Sequence, residues 1–301
     1  MKVSEIFKKT LPFVGLKLLL GLVTVVVSLV LLGILFGIGM LFGDGLAAIS
    51  IIIWLVLTGI IRFFLMHYVG YLIKAGHIAV ITESIKNNQV PDNPVEVGKS
   101  MVQEKFVTAN VYFGVDKLVT GAVKQIQKGV EKAGNLLDNI PGMGILVSFS
   151  KFFLSIALGY IDECCLSYTF MNKSDNAFKS AADGVVVYGQ NWKSLIKTAL
   201  KVAIQVVVAV VVLTLLIFIV VGGLFKILGW SGVVAFVLAL FLALVVKFAF
   251  IDSWILVKML VAYHEEAKNT EISYDLYGKF TQLSSSFKKL IDKGDAKENA
   301  I

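Results

Sequence analysis

Residues 202–225 read VAIQVVVAVVVLTLLIFIVVGGLF, and after Lys226 residues 227–246 read ILGWSGVVAFVLALFLALVV. The first run contains 24 residues without a charge and the second contains 20. A helix rises about 1.5 Å per residue and the hydrocarbon core of a bilayer is about 30 Å thick, so each run is long enough to cross a membrane. The two runs are therefore predicted to form a transmembrane hairpin, whose second helix continues past Lys247 to His264.

A hairpin of the same design is predicted near the N-terminus. Residues 18–42 are 25 uncharged residues, a Gly43-Asp44-Gly45 turn follows, and the next apolar run ends at Arg62. No helix breaker occurs before Asn88, so this second helix is expected to be long. Alignment of the two hairpins places Arg62 on Lys247, which favours an internal duplication of a two-span unit. Chance similarity of two apolar hairpins is the alternative.

The composition agrees with a membrane protein. Hydrophobic residues make up 57 % of the chain, charged residues 16 %, and the mean hydropathy is +0.83. These values exclude an ordinary soluble domain. The formal charge of +7 is expected when Lys and Arg collect on cytoplasmic segments, and it predicts no nucleic-acid partner. We expect a multi-pass protein of the cell membrane, with the lipid bilayer as its partner and both termini in the cytoplasm.

The region after the first hairpin has a different character. Apolar side chains recur there at steps of three or four residues, while lysines occupy the other faces. These apolar positions are Val115, Val119, Ala122, Ile126, Val130, Ala133 and Leu137. The pattern predicts an amphipathic helix, which either lies on the membrane surface or packs in a cytoplasmic bundle. Acidic residues dilute its positive face, and this favours packing.

The segment 141–172 is the hardest to assign. It is apolar enough for a fifth span, yet it carries a polar stripe at helical spacing: Ser148, Lys151, Ser155, Gly159 and Asp162. Lysine-rich stretches on both sides of it should lie in the cytoplasm, and an odd number of spans between them would break that bias. We predict that the segment is interfacial, re-entrant or packed against the bundle. If it did span, Lys151, Asp162 and Glu163 would be costly intramembrane charges and strong functional candidates.

The predicted fold class is an all-α, polytopic helical membrane protein. Four transmembrane helices form two like-oriented hairpins, with a central amphipathic or re-entrant helical segment and long cytoplasmic helix extensions. Residues 1–88 form the first two-span unit and its extension, 95–190 the amphipathic and interfacial region, and 191–270 the second two-span unit. Residues 271–301 form a cytoplasmic tail with one short helix, indicated by Leu276, Phe280, Leu283, Phe287 and Leu290.

Charged and titratable residues near the two hairpins are candidates for a substrate or ion path, because like-oriented repeats place a solute site where they meet. The candidates are Arg62, His67, Lys74, Lys151, Asp162, Glu163, Lys247, Asp252 and Lys258. Asp252 lies five residues after Lys247 and six before Lys258, and neither spacing is the three or four that pairs side chains on a helix. We therefore expect its partners on another helix. For Arg62, an anchoring role at the membrane interface is the alternative.

Short motifs in residues 160–266 resemble the late part of the choline transporter-like family. They are ECCL at 163–166, FMNK at 170–173, NAF at 176–178, YGQNW at 188–192, IDS at 251–253 and the acidic pair Glu265-Glu266. The resemblance implies a solute carrier with a cytoplasmic helical layer. The resemblance does not imply that choline is the substrate, because no aromatic cage is identifiable.

The search for catalytic and metal motifs is negative. The three histidines form no His-Glu-x-x-His helix, and there is no nucleophile elbow, Walker loop or dinucleotide loop. Cys164 and Cys165 are adjacent, a spacing that disfavours a disulfide. We predict no enzyme activity, no cofactor and no metal.

Transport of a small solute or ion across the bilayer is the expected function. A homo-oligomeric channel is one alternative, with the long helices of several protomers around one pore. A membrane scaffold that transports nothing and presents a cytoplasmic interaction surface is the other.

Overall fold

The computed structural model describes residues 1–106, 109–134, 159–172, 176–229 and 232–298. Every regular element within these ranges is helical, and none of them contains a strand. The predicted all-α class is confirmed for this part of the chain.

Four helical stretches of the described chain are long and apolar enough to cross a membrane: Leu11–Leu41, Ile49–Asn87, Trp192–Ile227 and Gly232–Ala267. Their mean hydropathy over the most apolar window is between 2.4 and 3.3. They coincide with the four spans expected from the sequence, and they are the stretches typical of a multi-pass membrane protein.

The helices are numbered here in chain order. They are α1 (Val3–Lys9), α2 (Leu11–Leu41), α3 (Asp44–Leu65), α4 (Tyr71–Asn87), α5 (Pro94–Lys105), α6 (Ala109–Gly134), α7 (residues 159–171), α8 (Ala177–Gln190), α9 (Trp192–Ile227), α10 (Gly232–Val246), α11 (Asp252–Ala267), α12 (Tyr274–Leu283) and α13 (Ser285–Glu298). Five-residue π-helical segments, Met66–Gly70 and Lys247–Ile251, join α3 to α4 and α10 to α11. Each long second helix is therefore continuous, as the sequence predicted.

Two glycines with positive φ end the first helix of each apolar pair. Gly43 has a φ of 105° and precedes α3, and Gly229 has a φ of 70° and follows α9. Side chains disfavour this part of φ/ψ space and glycine does not, so both turns depend on glycine. Asp44, predicted to lie within the first turn, is instead the first residue of α3.

The chain forms two compact units. The apolar unit consists of residues 12–74 and 209–252, and the bundle unit consists of residues 1–11, 75–208 and 253–301. The boundaries fall inside α2, α4, α9 and α11. The units are therefore spatial groupings of helix parts, and they cut across the four regions read along the sequence.

The apolar unit exposes most of its large side chains and buries several small ones. Leu215 and Ile219 are 54 % and 71 % exposed, whereas Ala235, Ala239 and Ala243 on α10 are all 0 % exposed. A Cβ on Gly21 of α2 would lie 2.8 Å from Cγ1 of Val245, so these two helices pack closely. Small residues at helix contacts are typical of helices that associate in lipid.

In the bundle unit, α6 packs against α8, α12 and α13. Val115, Val119 and Ala122 are 0 % exposed, and Ile126 is 4 % exposed. The predicted amphipathic stripe is therefore packed against other helices as far as Ile126. The later stripe positions lie outside the side chains that the structure describes.

The C-terminal region forms two helices, so the single predicted helix is wrong. The chain is extended at Ser284, between α12 and α13, and the Ser284 hydroxyl accepts a hydrogen bond from the Phe287 N–H at 3.0 Å. Phe280, Phe287 and Leu290 are buried, but Leu283 is 52 % exposed. The period of apolar residues could not reveal this break, because a serine cap restarts the helix in nearly the same register.

Only part of the segment 141–172 lies within the described residues. Its helix α7 belongs to the bundle unit, with Ile161, Cys164, Cys165 and Leu166 at most 1 % exposed. A Cβ on Gly184 of α8 would clash with the carbonyl oxygen of Cys165, so α7 and α8 are in close contact. Residues 159–171 are thus packed against the bundle, one of the arrangements predicted. Lys151 and the stretch around it lie outside the described residues.

Candidate functional site

The apolar unit contains a cavity of about 400 Å³. Side chains of α2, α3 and α10 line it, together with Phe225 of α9, Met66 and Phe248. Pockets that hold small ligands are typically about 300–1,000 Å³ and mostly apolar. The cavity is therefore large enough for a small ligand, and every residue that lines it belongs to this one unit.

Most of the cavity wall is hydrocarbon. On α10 the lining residues are Val234, Val237, Leu238, Phe241, Leu244 and Val245. On α2 they include Val25, Leu29 and Leu32. The wall can accommodate an apolar group without leaving polar atoms unsatisfied.

The polar side chains in the middle of the wall are already hydrogen-bonded. The Trp54 indole N–H donates to the Ser28 carbonyl at 2.7 Å and contacts the Ser28 hydroxyl at 3.1 Å. The Ser28 and Thr58 hydroxyls are 3.0 Å apart, and the Thr24 hydroxyl donates to the Leu20 carbonyl at 2.7 Å. This network joins α2 to α3. Since each of these side chains has a hydrogen-bond partner within the protein, the network offers few groups to a ligand.

Arg62 is the cationic residue of the cavity wall. It lies on α3, four residues after Thr58, and therefore one helical turn further along the same face. The structure gives its guanidinium no hydrogen bond or ion pair with any residue that it describes. Arginine remains charged at any physiological pH. The site therefore combines an apolar wall with one cation.

Lys247 and Asp252 form an ion pair within one helix. Their Nζ and Oδ2 atoms are 2.9 Å apart, and the side chains are 29 % and 22 % exposed. The expectation that Asp252 pairs with no lysine of its own helix is therefore wrong. Residues 247–251 are π-helical, and the i to i+5 register of a π-helix brings together residues five apart, which an α-helix does not.

The second π-helical segment contains His67. The His67 ring stacks on Phe63 at 5.7 Å between centroids and meets Tyr68 edge-on at 4.9 Å. The two π segments begin 181 residues apart, at Met66 and Lys247, whereas the predicted duplication aligned Arg62 with Lys247. A π segment thus occurs in both long helices but in a different register from the alignment, and the duplication stays a prediction.

Among the described residues, the other candidates predicted from the sequence do not line the cavity. Asp162, Glu163 and Lys258 belong to the bundle unit, and Lys74 lies at the last position of the first segment of the apolar unit. Asp162 accepts hydrogen bonds from the Thr120 hydroxyl at 2.6 Å and from the Glu163 N–H at 2.9 Å. Its carboxylate is therefore used in packing α7 against α6.

Sequence reasoning missed the network of Ser28, Trp54 and Thr58. Its signal is present, since Ser28 and Thr58 are isolated polar residues within long apolar runs. Polar side chains inside a membrane segment usually hydrogen-bond to a neighbouring helix. The pairing of two such residues 30 positions apart, however, requires the helix packing to be known.

The bundle unit contains buried polar pairs that could be mistaken for a catalytic site. The Ser167 hydroxyl lies 2.9 Å from Nε2 of His264 and donates to the Cys164 carbonyl at 2.6 Å. Because its proton goes to that carbonyl, the imidazole must donate to the hydroxyl and cannot act as its base. Ser167 is 0 % and His264 is 1 % exposed, so a substrate has no access to the pair.

Burial also shifts ionisation in this unit. It raises the pKa of the Cys164 and Cys165 thiols, and the neighbouring Asp162 carboxylate raises both further. Both thiols are free, as their adjacent positions predicted. Burial raises the pKa of Asp183 as well, although the hydrogen bond from the Tyr277 hydroxyl works in the opposite direction. These cysteines are unreactive core residues in the neutral form.

No family model, curated protein or solved structure matches this chain. The resemblance to the choline transporter-like family therefore stays a prediction. Any functional assignment has to rest on the cavity and its chemistry.

Proposed function

We propose that this protein binds a small solute in the cavity of its apolar unit and carries it across the bilayer. The observation that carries the proposal is the cavity itself, about 400 Å³ in volume and surrounded by helices of membrane-spanning length. A scaffold needs no ligand-sized pocket of this kind. A homo-oligomeric channel would place its pore between protomers, whereas this cavity is formed by one chain.

The proposed topology follows from the distribution of lysines. Lys2, Lys8 and Lys9 precede the first span, and lysines recur between the second and third spans and after the fourth. Under the positive-inside rule both chain ends and the bundle segments lie in the cytoplasm of a cell-membrane protein, and the two hairpins have the same orientation. The turns at Gly43 and Gly229 then face the outside.

Efflux from proteoliposomes tests the proposal. The vesicles are loaded with one of four radiolabelled probes: methanesulfonate, tetraethylammonium, sorbitol or decanesulfonate. These represent a small anion, a small cation, a neutral polyol and an anionic amphiphile. We expect at least one probe to leave vesicles containing the wild-type protein about tenfold faster than protein-free vesicles.

A matched pair of variants connects efflux to the cavity. Leu238 and Leu240 are both on α10, but only Leu238 is a lining residue, while Leu240 is 36 % exposed. Leu238→Trp fills the cavity and should reduce efflux to the protein-free rate, whereas Leu240→Trp should retain it. Absence of efflux for all four probes, or equal efflux from both variants, would exclude carriage through this cavity. The first of these results would favour the scaffold.

A further inference from the structure

We propose that the solute is a single-chain anionic amphiphile, which places its acidic head on Arg62 and its tail along the apolar wall of the cavity. This inference rests on the proposed function in one respect. It takes the molecule that binds in the cavity to be the molecule that is carried across the bilayer. The chemical class is a carboxylate, phosphate or sulfonate head on one hydrocarbon chain.

The head group follows from charge. In the apolar unit the carboxylate of Asp252 is held at 2.9 Å by Lys247, so that pair is already neutral. Asp44 lies 18 residues before Arg62 on α3, about 27 Å along the helix axis. Arg62 is exposed and has no counter-charge among the described residues. An acidic head supplies one, and the guanidinium binds planar oxyanions through two parallel hydrogen bonds.

The tail follows from the rest of the wall. A hydrophilic solute of this size would require several hydrogen-bonding groups, since each polar atom left unpaired on entering the cavity is unfavourable. The hydroxyls of Thr24, Ser28 and Thr58 and the indole N–H of Trp54 are already engaged. What remains available is hydrocarbon from α2 and α10, which suits an alkyl chain.

The location in an apolar unit determines how selectivity arises. Lipid tails are as apolar as leucine, so an alkyl chain that enters from the bilayer gains little by contacting the wall. Recognition must therefore depend on the head at Arg62. Affinity should change strongly with head charge and weakly with chain length, whereas a pocket filled from water would show strong dependence on chain length.

Equilibrium dialysis of the purified full chain in nonionic detergent tests this inference, with protein-free micelles as the blank. Radiolabelled decanesulfonate carries both tail and charge, decyl methyl sulfone carries the tail without charge, and methanesulfonate carries the charge without a tail. We expect saturable binding of decanesulfonate. The neutral sulfone should bind at least about tenfold more weakly because it lacks the charge that Arg62 recognises. Methanesulfonate should bind at least about tenfold more weakly because, without a tail, it does not concentrate in the micelles that surround the site.

Variants locate the head group. Arg62→Gln should weaken decanesulfonate binding at least about tenfold and leave the weak binding of the neutral sulfone unchanged, whereas Arg62→Lys should retain most of the affinity. Lys226→Gln is the matched control, because Lys226 is an exposed cation of the same unit that does not line the cavity. Size-exclusion profiles identify any variant that fails to fold. If Arg62→Gln fails, the tenfold preference of the wild type for decanesulfonate over the neutral sulfone carries the test.

The site is further identified by Trp54. A decanesulfonate brominated near the middle of its chain should quench Trp54 fluorescence saturably, and the quenching should disappear in Trp54→Phe. Unchanged affinity in Arg62→Gln, equal binding of the neutral sulfone, or quenching that survives Trp54→Phe would overturn the inference.

The two proposals fail in different ways. Binding of decanesulfonate that depends on Arg62, without efflux of any probe, would refute carriage and leave the site in place. Efflux of methanesulfonate, tetraethylammonium or sorbitol that Leu238→Trp abolishes, without decanesulfonate binding, would support carriage and refute the amphiphile.

Discussion

The two units of this chain bury opposite kinds of side chain. In the apolar unit, Leu215 is 54 % exposed and Ala239 is 0 % exposed. In the bundle unit, Phe287 is 0 % exposed and apolar side chains fill the interior. The difference indicates which solvent each unit faces. Water forces large apolar groups inside, whereas lipid does not, and close packing of small residues then holds the helices together.

Polar groups differ between the units as well. The bundle unit buries side-chain pairs such as His77 with Thr10, whose atoms are 3.1 Å apart, and Tyr263 with the Gly184 carbonyl at 2.9 Å. Buried polar groups of this kind are tolerated because each has a partner. In the apolar unit, Arg62 is the cation that lines the cavity, and the structure gives it no hydrogen bond or ion pair with any described residue. The amphiphile proposal rests on this cation of the cavity wall.

The largest expected effect is loss of a core ring from the bundle unit. Phe287 contacts Tyr277 and Phe280, with ring centroids 5.5 and 5.7 Å away. Phe287→Ala should lower the free energy of unfolding by about 3–5 kcal/mol, through lost burial and the cavity left behind. Thermal unfolding in nonionic detergent, followed by circular dichroism, measures the change.

Phe63→Ala is the matched control in the apolar unit, where Phe63 is 58 % exposed. Its effect should be no more than about 0.5 kcal/mol, because detergent or lipid replaces the lost contacts. Equal destabilisation by the two substitutions would mean that Phe63 is buried in the native protein, and the proposed difference between the units would then be wrong.

The sequence was sufficient to predict the long apolar helices. Their length and hydropathy are local properties, so the runs 18–42 and 202–225 predict spans without knowledge of their neighbours. The buried stripe of α6 was predictable for the same reason, because its period of three to four residues is visible in the chain. These features account for the helical class and for the positions of the four spans.

The cavity and the ion pair could not be predicted in the same way. The pairing of Lys247 with Asp252 depends on a π-helical segment, and the residues of that segment have no propensity that distinguishes it from an α-helix. Arg62 was recognised as a candidate, but its cavity is formed by side chains from helices nearly 200 residues apart in the chain. Such sites arise from packing, which hydropathy does not encode.

An intermediate effect is expected from a charge on the exposed surface of each unit. Leu215, near the middle of the uncharged run in α9, and Leu283 of the bundle unit have nearly equal exposure, at 54 % and 52 %. Leu215→Lys should cost about 2.5–3.5 kcal/mol, the cost of a lysine at the centre of a membrane helix. Leu283→Lys should change stability by no more than about 0.5 kcal/mol, because a surface lysine remains hydrated.

Melting temperatures in lipid nanodiscs measure the effects of these two substitutions. Leu215→Lys should melt well below the wild type, and Leu283→Lys should melt at the same temperature as the wild type. If both variants melted like the wild type, the exposed face of α9 would not contact lipid, and the apolar unit would have to bury that face in an oligomer or against another protein.

The smallest effect should come from a titratable group in the bundle unit. Asp183 accepts a hydrogen bond from the Tyr277 hydroxyl, and burial raises its pKa above the ordinary value of 3.8. A carboxyl whose pKa is raised by folding favours the folded state below pH 3.8 and loses that contribution as the pH rises through the folded-state pKa. As the pH rises from 3.8 through the folded-state pKa of Asp183, the melting temperature of the wild type should therefore fall relative to that of Asp183→Asn, which cannot ionise.

Tyr277→Phe shows whether this fall comes from Asp183. The variant removes the hydrogen bond that opposes the effect of burial, so the pKa of Asp183 should rise further and the fall in melting temperature should extend to higher pH. The double variant Asp183→Asn with Tyr277→Phe should lose the extension. If the extension persisted, another group would be titrating. The bundle interior would then owe its pH response to a residue other than Asp183, and its contrast with the apolar unit would need a different electrostatic explanation.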